Sequence, residues 1–219
     1  MKKFSIYFIL ILFLYPILGC KKSNESSTQI DSKSYINDFE LIQKNPKNNN
    51  IIRITSPKAI IDPIENDIEI IDSLIEIENK DGQIVSVISG YSSIENSLNL
   101  IKVFNNVSIS LLKPKDFYID TDSFIWNLNT SHIDLDNPLD INFESTRISS
   151  SSGDYNIETG TLYINNNILN RNILNSEGNQ KYFITIISDM AKWYKSNNLL
   201  EFKSEDKQVE TTIDFLTIK

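Results

Sequence analysis

Val107-Ser108-Ile109-Ser110-Leu111 decides the fold, together with Phe117-Tyr118-Ile119-Asp120 and Ser123-Phe124-Ile125-Trp126-Asn127-Leu128 just beyond it. Apolar and polar residues alternate with a period of two, which puts one set on each face of an extended strand. The same pattern runs outward in both directions, from Ser56 to Lys219, in short stretches separated by Asn, Ser, Gly, Asp or Pro. Strand follows strand with no helical crossover pattern between them, so the expectation is an all-β, antiparallel, meandering fold.

Several punctuation points are specific. Lys80-Asp81-Gly82 reads as a hairpin turn, because Asp-Gly tolerates positive φ. A phase shift near Ile71-Asp72 predicts a bulge. Ser56-Pro57 reads as the end of a first strand from Ile51, and Asn105-Asn106 as a turn. Asn165-Asn166-Asn167 reads as another break, and Thr159-Gly160 as a turn. Residues 184–195 read as strand, with Ile187, Ala191 and Tyr194 also spaced for a helix.

The amino terminus differs in kind. Met1-Lys2-Lys3 precedes an apolar stretch from Phe4 to Leu18, too short for the ~20 residues of a spanning helix and fitting a secretory signal peptide over 1–19. Ile17-Leu18-Gly19-Cys20 resembles a bacterial lipobox, which implies cleavage before Cys20 and its lipidation. An uncleaved anchor with an incidental cysteine is the alternative. In either case the domain stands outside the cytoplasm on a bacterial membrane; acyl chains on Cys20 suffice for stable anchoring. Residues 20–50 turn polar and read as a tether, in which Tyr35, Phe39 and Ile42 leave room for a marginal short helix. The folded domain is expected over 51–219.

The formal charge is −8, and the first 19 residues contribute +2, so the remainder carries −10. A surface that acidic suits no phosphate backbone, and nucleic acid is not an expected partner. Apolar content of 40% is enough for a core. Cys20 is the only cysteine and His132 the only histidine, so neither a disulfide nor a multi-histidine metal site or His-pair chemistry can form within one chain. Asp120/Asp122 and Asp134/Asp136 sit two apart, on one face of a strand each, which fits a solvated outer face. Arg147 and Arg171 read as surface ion-pair partners, with a phosphorylated headgroup as the sharper alternative. No catalytic constellation, metal site or cofactor motif is expected, and the chain does not read as an enzyme.

What remains is the apolar stripe itself. Alternation alone does not separate a filled core from a lipid-lined groove, so both readings stay open: a lipid-transfer protein, or a scaffold lipoprotein with a filled β-sandwich core and no lipid cargo. The residues placed on the stripe are Ile75, Ile77, Val85, Val87, Leu98, Leu100, Val107, Ile109, Leu111, Phe117, Ile119, Phe124, Trp126 and Leu128.

The order of landmarks over residues 51–175 resembles the periplasmic LptC family of the lipopolysaccharide export machine. Those landmarks are Ser56-Pro57-Lys58-Ala59, Lys80-Asp81-Gly82, Asn105-Asn106-Val107, Thr121-Asp122-Ser123-Phe124-Ile125-Trp126, Gly160-Thr161-Leu162 and Arg171. Residues 180–219 add strands similar to those of OstA-like domains. The resemblance implies a folded-over β-jelly-roll with an open-ended apolar groove that holds lipid A acyl chains. It implies receipt of lipopolysaccharide from an inner-membrane ABC transporter, whose permease subunits would dock at the N-terminal edge, and transfer to a like-folded bridge protein at the C-terminal edge. It implies a place on the periplasmic face of a bacterial membrane, with the inner membrane expected over the outer. The chain departs from the family in carrying a lipobox where members keep a transmembrane anchor, and Asn106 where a glycine is common.

Overall fold

The computed structural model describes residues 33–45, 49–80, 82–95, 99–111, 116–174, 180–205 and 208–215. The signal peptide, Cys20, Leu98 and the Asp81 of the Lys80-Asp81-Gly82 turn lie outside them. No helix among the described residues is long and apolar enough to cross a membrane.

Among the described residues fourteen strands form one antiparallel sheet. They are β1 (Ser34–Lys44), β2 (Ile51–Asp62), β3 (Asp67–Asn79), β4 (Gly82–Glu95), β5 (Leu100–Leu111), β6 (Phe117–Asn127), β7 (His132–Leu135), β8 (Leu139–Phe143), β9 (Thr146–Ser150), β10 (Ser152–Asn156), β11 (Thr161–Leu174), β12 (Gln180–Tyr194), β13 (Leu199–Lys203) and β14 (Glu210–Phe215). The all-β, antiparallel, meandering expectation holds. Three expectations change. The stretch read as tether contains β1, ten of whose residues pair with β2 from Ser34↔Ile61 to Lys44↔Ile51. Ser56-Pro57 ends nothing, since β2 continues to Asp62, whose Oδ1 accepts the Ile64 amide at 2.9 Å and starts the turn into β3. Asn105-Asn106 and Asn166 likewise lie inside β5 and β11.

These interruptions are bends, and they align. Asp38, Asp72, Asn105, Asn106 and Asn166 all take positive φ, between 50° and 65°, which Asn and Asp tolerate better than other side chains. Asp38 and Asp72 drop out of the pairing register opposite Pro57 and Gly90. Pro57, which has no amide hydrogen to give a ladder, therefore costs β2 nothing at this point. The column of bends divides the sheet into two walls folded over each other. Beyond it, β6 pairs with β8 on one wall and with β7 on the other.

At the fold line hydroxyls replace the interrupted ladder. Ser56, Ser89, Thr121, Ser150 and Ser188 each place their side-chain oxygen within hydrogen-bond distance, 2.8 to 3.4 Å, of the carbonyl two residues on. Bonds to the adjoining strand recur at 15 to 17 residues, the length of one traverse. Ser73, Ser89 and Ser92 close a buried ring at 2.8, 2.7 and 3.0 Å. Buried polar atoms need such partners, and here they satisfy one another.

Candidate functional site

Residues paired directly across antiparallel strands point to the same side, so the registers trace rows along the inner face. On the first wall one row runs Leu41, Ile54, Ile75, Val87, Ile109, Ile119, Ile141, Ile148, Leu169, Ile186 and Thr211. On the second wall a row runs Ile61, Ile68, Ile94, Ile101, Trp126, Ile133, Tyr155, Leu162, Trp193 and Leu200. Ile and Val dominate because β-branched side chains fit a pleated, half-buried surface.

Apart from Ile61 and Thr211 at their ends, both rows belong to or pack against a single apolar cluster. The walls touch: the Phe117 ring, on β6 before its bend, stacks on Trp193, on β12 after its bend, with centroids 4.3 Å apart. Phe143 extends the stack to Phe117 at 5.5 Å. Burial of Tyr155 pushes its phenol well above the usual range.

Of the stripe residues expected from alternation, Ile75, Ile77, Val85, Val87, Val107, Ile109, Leu111, Phe117, Ile119, Phe124 and Trp126 lie in this interior, none more than 3% exposed. Leu128 is half-buried in the turn after β6 and packs against the cluster. Leu100 is a correction. It pairs with Glu95 and Asn127 on the outer face, while Ile101 and Val103 point inward. Two consecutive left-handed residues, Asn105 and Asn106, keep odd-numbered residues inward on both halves of β5; read as a turn, they release that phase.

The interior closes toward β1 to β6 and opens toward the last strands. A second row on the first wall passes from Ile77, Val85, Leu111 and Phe117 to Phe143 and Thr146, all buried. It then reaches Arg171, Ile184 and Ile213. The Arg171 side chain is 46% exposed and Ile213 48%. Ile184 and Tyr182 are half-buried on the same side. Among the described residues β1 pairs with β2 alone, and β13 and β14 pair with β12 alone, so both ends of the sheet present strand edges.

The outer face carries the polar groups. His132 Nδ1 lies 2.9 Å from Asp154, and its Nε2 3.0 Å from the Asn156 amide. Asp134, paired with Asp154, is held above the usual carboxylate range by burial and then by the Asp154 carboxylate. Arg147 donates to Asp140 at 2.8 Å, and Ser149 and Arg147 together hold that carboxyl low. Lys192 sits over the rings of Tyr163 and Tyr194, 4.7 and 4.5 Å from their centroids. Among the described residues no three His, Cys, Asp or Glu side chains group as metal ligands.

No protein-family model matches the chain. No curated protein matches it either. Among solved structures it is similar to LptH. That protein is the LptA homologous periplasmic component of the conserved lipopolysaccharide transport device from Pseudomonas aeruginosa. The identity is 7% and the TM-score 0.30, over 76% of this chain and 95% of that one.

Proposed function

We propose that the chain is a membrane-tethered lipid-transfer domain of the bacterial envelope, holding acyl chains of lipopolysaccharide between its two walls. The observation that carries this reading is the pair of largely apolar rows that cross the sheet and open beside edge strands at one end. Lipidation of Cys20 would supply the tether, and the LptC-like order of sequence landmarks supports the cargo. The β1 edge would receive lipid from the permease subunits of an inner-membrane transporter, and the β13 and β14 edges would pair with a like-folded bridge domain. Strand addition at open edges is the physical basis for such a chain of domains.

Site-specific photo-crosslinkers test the reading. Placed at Phe117, Phe124 and Trp126 during export, they should capture lipopolysaccharide, while Tyr118, Ile125 and Asn127 on the opposite face should not. Adducts confined to the outward positions would sink it.

The second reading, a scaffold lipoprotein with a filled core, is favoured by the contact between Phe117 and Trp193, which joins the two walls directly at that point. It expects no adduct at any inward position, and no acylated lipid in native mass spectra of the purified protein.

A further inference from the structure

Arg171 stands in an unusual place. The left-handed turn at Asn166 shifts the inward phase of β11, so that Leu162 and Ile164 face in before it, and Asn167, Leu169 and Arg171 after it. Arg171 is the one charged residue in the inner rows traced above. It lies between Thr146 and Ile184, where the row passes from buried to open. Its only partner among the described residues is Glu144, at a loose 3.9 Å with both side chains about half exposed. Such a pair stabilises little. Thr146, paired directly with Arg171, is 4% exposed, and its hydroxyl has no hydrogen-bond partner among the described residues. A buried hydroxyl without a partner is uncommon in folded proteins.

We infer that Arg171 and Thr146 form a site for the anionic headgroup of an acylated amphiphile, whose chains lie along Ile184, Ile186 and Ile213. This rests on the lipid-transfer reading and adds the chemistry of the headgroup. A guanidinium offers a planar fork that matches phosphate or carboxylate oxygens two at a time. Thr146 supplies a further donor, and the half-exposed isoleucines begin the apolar path inward. Glu144 repels the same anion and leaves Arg171 when the headgroup arrives.

The test uses the full-length chain in phosphatidylcholine nanodiscs, with empty discs as blank, titrated calorimetrically with octyl phosphate and with octyl glucoside. Octyl phosphate should bind about tenfold tighter than octyl glucoside, the margin expected of a charge-assisted contact. R171Q should abolish the margin and leave octyl glucoside binding unchanged. R171K should keep part of it. R147Q, which alters the outward arginine, should keep all of it, and E144Q should widen it. Equal affinities in the wild type, or a margin that survives R171Q, overturn the headgroup site and leave lipid transfer standing. Binding of neither amphiphile overturns both.

Discussion

The rings of Phe117 and Trp193 stack 4.3 Å apart at an interplanar angle of 23°, although the two residues belong to opposite walls of one folded sheet. Trp193 also donates its indole N–H to Asn198 Oδ1 at 3.0 Å, which fixes the ring over Phe117. The pair shows directly that this fold is one sheet folded over on itself.

Removing that contact is costly to folding and favourable to entry. Trp193→Ala deletes a side chain that is 2% exposed and leaves a void between the walls, so it should destabilise the protein by about 3–5 kcal/mol. A urea midpoint measures the loss. In the lipid-transfer reading the same void should raise uptake of an apolar fluorescent probe. A midpoint shifted by less than about 1 kcal/mol would show that the walls do not depend on this contact.

The serine ring at the bend makes a prediction of non-additivity. Ser73→Ala leaves Ser89 and Ser92, both buried, with one partner fewer each, and should cost about 1–3 kcal/mol. Replacing all three by alanine removes every polar atom of the ring, so the triple variant should cost less than the sum of the three singles. Denaturant titration of the four variants decides it, and simple additivity would mean that the hydroxyls act separately.

The walls were legible in the sequence because alternation reports them directly: Val107, Ile109, Leu111, Phe117, Ile119, Phe124 and Trp126 all proved inward. Of the bends, the one at Asp72 was legible as a phase shift; the others were not, because Ser56-Pro57 and Asn105-Asn106 carry the same chemistry as true turns. A left-handed Asn serves a hairpin and a mid-strand corner equally. Phase is lost for the same reason. Counted by twos from Ile164, Arg171 would face solvent; only the positive φ of Asn166 turns it inward. The edge strand Ser34–Lys44 was hidden by composition, since one paired side and a single buried residue, Phe39, leave most of its side chains polar and exposed.

Asn106 tests the corner itself. Its φ of 55° is accessible to glycine without strain and to Asn at modest cost. Asn106→Gly should therefore match or slightly exceed the wild type in stability. Asn106→Ala should lose about 1 kcal/mol, and Asn106→Val more, because branching at Cβ worsens the left-handed clash. Thermal midpoints give the order, and an alanine variant as stable as the glycine variant would mean that the bend is not held at this residue.

The pair Asp134 and Asp154 predicts a pH dependence of definite sign. Burial, followed by the hydrogen bond and charge of Asp154, raises Asp134 above its ordinary value of 3.8, against a smaller opposing pull from His132. A carboxyl whose pKa is higher folded than unfolded favours the native state only while protonated. Its contribution is complete below pH 3.8 and disappears as pH rises through the folded value, so at neutral pH the ionised group opposes folding. Asp134→Asn keeps a hydrogen-bonding side chain opposite Asp154 and removes the charge. It should raise stability at pH 7 by up to about 1 kcal/mol, since the site is partly solvated, and the gain should vanish at pH 3. Urea midpoints at the two pH values measure it. A gain of equal size at both would assign the effect to packing instead of charge, because packing of an uncharged side chain does not titrate.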